Sequence, residues 1–234
     1  MKITGSGRLS GGKIDEDLNT SGSTRIEGNF ECNGFHSTGS FRGSGTLTVH
    51  GDIHTSGSFR LGSSLNGEGD MGSSGSTRIE GEISIQGFLK SSGSFRAGDN
   101  IQALEGIKFT GSSTIKGSIF SERTINITGS STIYGDVKGK NIDIIIGRVL
   151  GKRRAFQHPV KVYGNVFGKK NINLVRTLVK GNVMGRNIII GRNTEVVGRV
   201  YYIDSIQKDE RSILNHDPVQ ISADDLNNPD FIEK

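Results

Sequence analysis

A Gly-Ser pair recurs at Gly5, Gly22, Gly39, Gly57, Gly75, Gly93, Gly111 and Gly129, and Gly147 continues the series before Arg148. The steps are 17, 17 and then 18 residues. Aligned on that glycine, the fourth residue after it is Leu9, Ile26, Gly43, Leu61, Ile79, Ala97, Ile115 and Ile133. From the second repeat onward the eighth is Phe30, Leu47, Leu65, Ile83, Ile101, Ile119 and Val137. Columns with one side chain per repeat point to a solenoid, in which each repeat covers the apolar face of its neighbour. Composition narrows the choice, because 35 glycines, no Trp and 32% hydrophobic residues in a chain of 234 are too few large side chains for a thick globular core. Disorder is the other state open to such a chain, but it predicts no regular spacing of apolar residues.

Within a repeat the pattern alternates. In Ser131-Thr132-Ile133-Tyr134-Gly135-Asp136-Val137 the positions Ile133, Gly135 and Val137 share one side and Tyr134 and Asp136 the other, and a period of two means strand. A third apolar cluster, such as Ile125-Asn126-Ile127 or Ile142 to Ile146, gives three short strands per repeat. The expected fold is all-β: a parallel β-helix of about 11–12 triangular coils of 17–18 residues. After a break the columns resume, with Val162, Val179 and Val196 matching Ile133, and Val166, Val183 and Val200 matching Val137. The surplus between the blocks, 148–159, reads as an insertion loop. The helix is expected over 1–204 and an acidic, mobile tail over 205–234. Pro159 falls in the loop and Pro218 and Pro229 in the tail, so no proline removes a ladder hydrogen bond from an expected strand,. The period does not set the hand, and Ile190 to Glu195 would pass as one hexapeptide of a left-handed acyltransferase helix.

Catalytic chemistry finds little foothold. His36, His50, His54, His158 and His216 are scattered, and His50 and His54, although four apart, belong to different stretches of a strand-rich coil. No GxSxG, HExxH or Walker pattern occurs, and the glycine-rich runs return in every coil, which makes them corners and not phosphate loops. The expectation is therefore no enzyme, with no catalytic, cofactor or metal residues. The competing reading is a β-helix enzyme of the hexapeptide acyltransferase type. Cys32 is alone, which excludes an internal disulfide and fits a reducing compartment,. The opening MKITGSGRLSGG has no apolar core of signal-peptide length, so the expected location is the cytoplasm, with the inner face of the membrane as a peripheral site.

Charge is placed unevenly. Between Gly147 and Val200 there are twelve Lys or Arg and one acid, whereas 201–234 holds three bases and eight acids. In the first half an arginine follows the repeat glycine by three residues in six successive coils: Arg8, Arg25, Arg42, Arg60, Arg78 and Arg96. This position must point outward, because Phe41, Phe59 and Phe95 before it and Leu61 and Ile79 after it point in. It forms an arginine ladder, open to two readings: a solvated face that discourages sideways aggregation, or a dock for an anionic polymer or lipid. The basic block 147–200 could meet an anionic membrane surface or nucleic acid, or be answered by the acidic tail; nucleic acid is the weaker partner, since few aromatic side chains are interleaved for stacking. Neither end of the helix shows a cap. Ile3, Leu9 and Ile14 begin the columns at once and Val196, Val200, Tyr201, Tyr202 and Ile203 finish them, so these eight are the expected contacts between copies of the chain.

The runs Ser131 to Ile145, Val160 to Leu174 and Val179 to Val200, with their recurring β-branched-x-Gly-x-Val core, resemble bactofilins, and the Gly-Ser-rich first part is similar to the longer Gram-positive members. The resemblance covers roughly residues 1–205. It implies a right-handed helix that polymerises end to end into filaments without nucleotide. Such a scaffold would serve cell shape, envelope organisation or motility, with itself, and at most envelope proteins or an anionic membrane, as partners.

Overall fold

The computed structural model describes residues 1–147 and 159–226. Among the described residues thirty strands join one continuous sheet, and the only helix is the single turn Ala223–Leu226. The chain winds as a right-handed parallel β-helix of about 12 turns. Each turn contributes a strand to three faces, as in Ile53–Thr55, Ser58–Leu61 and Leu65–Gly67. These are called the first, second and third face below.

The alternation seen in the sequence is what closes the core. Burial along Ser40–Gly43, Ser58–Leu61 and Ser76–Ile79 switches residue by residue, with the second and fourth positions buried. Rungs then stack like on like. On the third face Leu47, Leu65, Ile83, Ile101, Ile119, Val137, Val166, Val183 and Val200 are each the parallel partner of the next. Phe41 and Phe59 stack with centroids 5.2 Å apart, and the edge of Phe35 meets both rings. At Gly43 the inward position has no side chain, and Leu61 Cδ1 fills the space within 2.7 Å of where a Cβ would stand.

The corner between the first and second faces explains the Gly-Ser repeat. The Gly75 carbonyl accepts the Ser94 N–H at 3.0 Å and so lies 1.9 Å from the place a Cβ on Gly93 would occupy. The same collision, at 1.7–2.0 Å, recurs at Gly22, Gly39, Gly57, Gly75, Gly111 and Gly129. Glycine is required by close approach of one rung to the next. In the last coils the corner is turned differently: Arg176 and Asn193 adopt the left-handed conformation, with φ of 59° and 54°. At the second corner, polar side chains carry the ladder across the turns. The backbone N–H groups of Ser118, Asp136, Asn165, Asn182 and Arg199 donate to Asn100 Oδ1, Ser118 Oγ, Asp136 Oδ1, Asn165 Oδ1 and Asn182 Oδ1 respectively, at 2.7–2.9 Å.

Two sequence boundaries need comment. The expected insertion, 148–159, lies outside the described residues except for Pro159, whose carbonyl accepts the Ser131 N–H at 3.0 Å and rejoins the ladder. The expected start of the tail at 205 falls inside a strand, Val200–Lys208. A further turn follows, in which Ile213–Leu214 pairs with Glu195–Val196 and Val219–Gln220 pairs with Tyr201 and Tyr202. The solenoid thus extends to about residue 220, because Ile206 and Leu214 continue to pack on the core beneath them. Of the expected tail, 227–234 lies outside the described residues.

Candidate functional site

Three features could carry function: the two ends, the arginine ladder and a charged cluster over the first coils. At the first end Ile3, Leu9 and Ile14 are half-buried and packed on the core, as expected, and Met1 joins them. The opposite end differs from the sequence expectation. Val196 and Val200 are completely buried, because the last turn is stacked over them. They are core residues and not an end surface. Of the other expected residues, Tyr202 packs on the core while keeping part of its surface open, and Tyr201 and Ile203 are half-buried. Ile206 and Leu214 complete the apolar end with Tyr202. Sequence reading missed this pair because neither Asp204 to Lys208 nor Arg211 to Gln220 contains a Gly-Ser signal, and Ile203 and Ile206, three apart, break the period of two.

The arginine ladder is present as expected. Arg8, Arg25, Arg42, Arg60, Arg78 and Arg96 are successive partners on the second face, and all are exposed. Two carboxylates stand beside the row. Glu27 lies 3.9 Å from Arg8 and 3.8 Å from Arg25, and Glu80 pairs with Arg78. Arg42, Arg60 and Arg96 make no ion pair among the described residues. At about 4.8 Å per rung, neighbouring cations repel by up to about 1 kcal/mol even in bulk water. The fold does not need arginine there, because the same column continues as Thr114, Thr132, Lys161, Leu178 and Glu195.

The third feature spans four coils. His50 Nε2 lies 2.8 Å from Glu31 Oε1 and Nδ1 lies 3.0 Å from Glu68 Oε1, while Lys13 Nζ is 2.8 Å from Glu31. Two carboxylate acceptors hold both ring nitrogens as donors, so the hydrogen bonds to Glu31 and Glu68 raise the His50 pKa above its ordinary 6.5. Hydrogen bonds from His50 and Lys13 lower that of Glu31. Because the folded His50 pKa is raised, its contribution to stability is present at low pH and is lost as pH rises through the folded value. That of Glu31 has the opposite sign and is lost as pH falls through its lowered value. An NMR titration of the His50 ring is expected to give a midpoint above 6.5 that falls in Glu31→Gln; an unshifted wild-type midpoint would contradict the cluster.

The remaining sequence candidates stay apart. His36 and His54 stack in neighbouring rungs of the first face, with centroids 5.2 Å apart, while His50 lies at a corner, so His50 and His54 belong to different stretches as expected. His216 is exposed, and His158 is outside the described residues. Among the described residues no group of three or more His, Cys, Asp or Glu is arranged to hold a metal ion. Cys32 is fully buried, and burial, with Asp17 and Glu31 nearby, pushes its thiol up to about 11, so it packs as a small apolar residue,. No helix among the described residues is long and apolar enough to cross a membrane. Protein-family models, curated proteins and solved structures were all compared with the chain, and none matches it.

Proposed function

We propose that the chain is a non-enzymatic scaffold that assembles end to end into filaments without nucleotide, in support of cell shape, envelope organisation or motility. The observation that carries this reading is the state of the two ends. Met1, Ile3, Leu9 and Ile14 at one, and Ile206 and Leu214 at the other, are half-buried and pack on the core beneath them, with no paired rung above Ile206 or Leu214 among the described residues. Each end strand also has a ladder partner on one side only among the described residues, which makes it a template for a further rung,. Joining two ends continues both the ladder and the apolar columns, and apolar area buried there is worth about 25 cal/mol per Å². The bactofilin resemblance of the valine-rich coils agrees with such a polymer.

Negative-stain micrographs of the purified chain at micromolar concentration, without nucleotide, are expected to show unbranched filaments one helix wide. Discrete trimers would sink this reading in favour of a hexapeptide-type acyltransferase, and a concentration-independent monomer would sink both.

A further inference from the structure

The arginine row is one wall of a groove. Two shallow depressions sharing Arg78 and Glu80 run along the helix axis beside it, the first from Arg25 to Glu80 and the second from Arg78 to Lys116. Cations recur in register along this path at Arg25, Arg42, Arg60, Arg78 and Arg96, and Lys116 stands at its far end. Gly62 and Gly98 leave the opposite side low, and Ser44 and Thr114 add hydroxyls. The path covers five rung steps, about 24 Å at about 4.8 Å each. It is shallow, with one arginine per rung along one wall from Arg25 to Arg96.

We infer that this groove binds an unbranched phosphoanhydride chain, polyphosphate in chemical class, laid along the axis with the guanidinium row on its phosphates. Planar guanidinium groups pair with phosphate oxygens through two parallel N–H donors, which makes arginine better suited than lysine to such a row. Alternate phosphates of an extended chain come round to the same side, so a regular cation spacing along a straight axis can be matched over many units. Three arginines, Arg42, Arg60 and Arg96, have no carboxylate partner among the described residues and are available to take it.

The shape and lining argue against other anions. No aromatic side chain lines either depression, and single-stranded nucleic acid is ordinarily held by stacking its bases on such rings. A bilayer is flat and cannot enter a groove, and laying it on this face would set Glu27 and Glu80 against the same anionic headgroups. A thin chain with neither ring nor plane fits the space and passes a single carboxylate, Glu80, which Arg78 pairs with where the two depressions meet.

The test is titration of the full-length protein with inorganic polyphosphate over a range of salt. Saturable binding is expected, with affinity falling steeply with salt as counterions are released. Combining Arg42→Gln, Arg60→Gln and Arg96→Gln is expected to weaken binding at least about tenfold and to flatten the salt slope by about three. Changing the same three to Lys keeps the charge but loses the fork, so its affinity falls between those of the Gln variant and wild type. Glu80→Gln is expected to tighten binding, which guards against reading a misfolded variant as lost contact. No binding to wild type at low salt, or an unchanged affinity in the Gln variant, overturns the proposal. So does tighter binding of single-stranded DNA or of anionic phosphatidylserine vesicles through the same arginines. The groove lies on a long side and not at an end, so this result is separable from filament growth.

Discussion

Gly93→Ala is expected to destabilise the protein by about 2–4 kcal/mol, although it adds a single methyl group to a corner at the surface. The new Cβ would arrive 1.9 Å from the Gly75 carbonyl oxygen and 2.6 Å from that of Ser74. Neither atom can move freely, because the Gly75 oxygen already accepts the Ser94 N–H and the Ser74 N–H is itself bonded to Thr55. Relieving the overlap means separating two rungs, at about 1–3 kcal/mol for overpacking and about 1 kcal/mol for the lost hydrogen bond. A solenoid repeat touches only its neighbours, so the damage divides the array, and the chemical denaturation curve is expected to become two-stepped. Gly72→Ala is the internal contrast. A Cβ there meets nothing nearer than 3.5 Å, and its stability is expected to stay within about 0.5 kcal/mol of wild type. Equal melting curves for the two variants would remove the close-approach explanation of the repeat.

The second large effect concerns assembly. Ile206→Asp and Leu214→Asp place a charge among the half-buried side chains of the final coils, which keep part of their surface open in the single subunit, whereas an end contact would have to desolvate the charge without a partner. That costs several kcal/mol, and since each 1.4 kcal/mol is a factor of ten, growth is expected to weaken at least about 100-fold. Sedimentation is expected to show a soluble, β-rich short species where wild type pellets. Ile3→Asp is expected to do the same from the other end. Val200→Asp behaves differently, because Val200 is 0% exposed and partnered with Val183 in the core; its expected result is lost folding of the final coils and not a clean short species. If Ile206→Asp, Leu214→Asp and Ile3→Asp all polymerise like wild type, assembly does not run through the ends.

The solenoid was legible because its cause is local and repeated. Gly22 to Gly129 mark the corner where one rung presses on the next, and the inward columns follow from alternation around them. The arginine ladder was legible for the same reason, since a fixed offset from the glycine becomes a fixed place on a face. The end of the helix was not. Ile206 and Leu214 hold their positions by packing on the preceding coil and not through any glycine signal, and acidic residues such as Asp204, Asp209 and Glu210 lend the segment the look of a tail. The cluster of Lys13, Glu31, His50 and Glu68 was hidden for another reason. Its members lie 18 or 19 residues apart and become neighbours only once the corner geometry is fixed, and each alone resembles a solvated surface charge. The groove is of the same kind, made as much by the missing side chains of Gly62 and Gly98 as by the arginines beside them.

The in-register rungs also govern how long such a molecule can be. Because Gly75 and Gly93 occupy the same place in successive coils, joining Gly75 directly to Ser94 would leave every inward column inward. Removing half as many residues would carry apolar positions on to the wrong face and corner residues into strands. The length of the rod is therefore an integer quantity, about 58 Å for twelve coils at about 4.8 Å each,. Duplication or loss of one 18-residue unit shifts it by a single rung, leaving both ends and the cross-section as they were. If such subunits join end to end as proposed, the filament would carry that spacing as its period, and the copy number of one short repeat would set the gauge of the lattice.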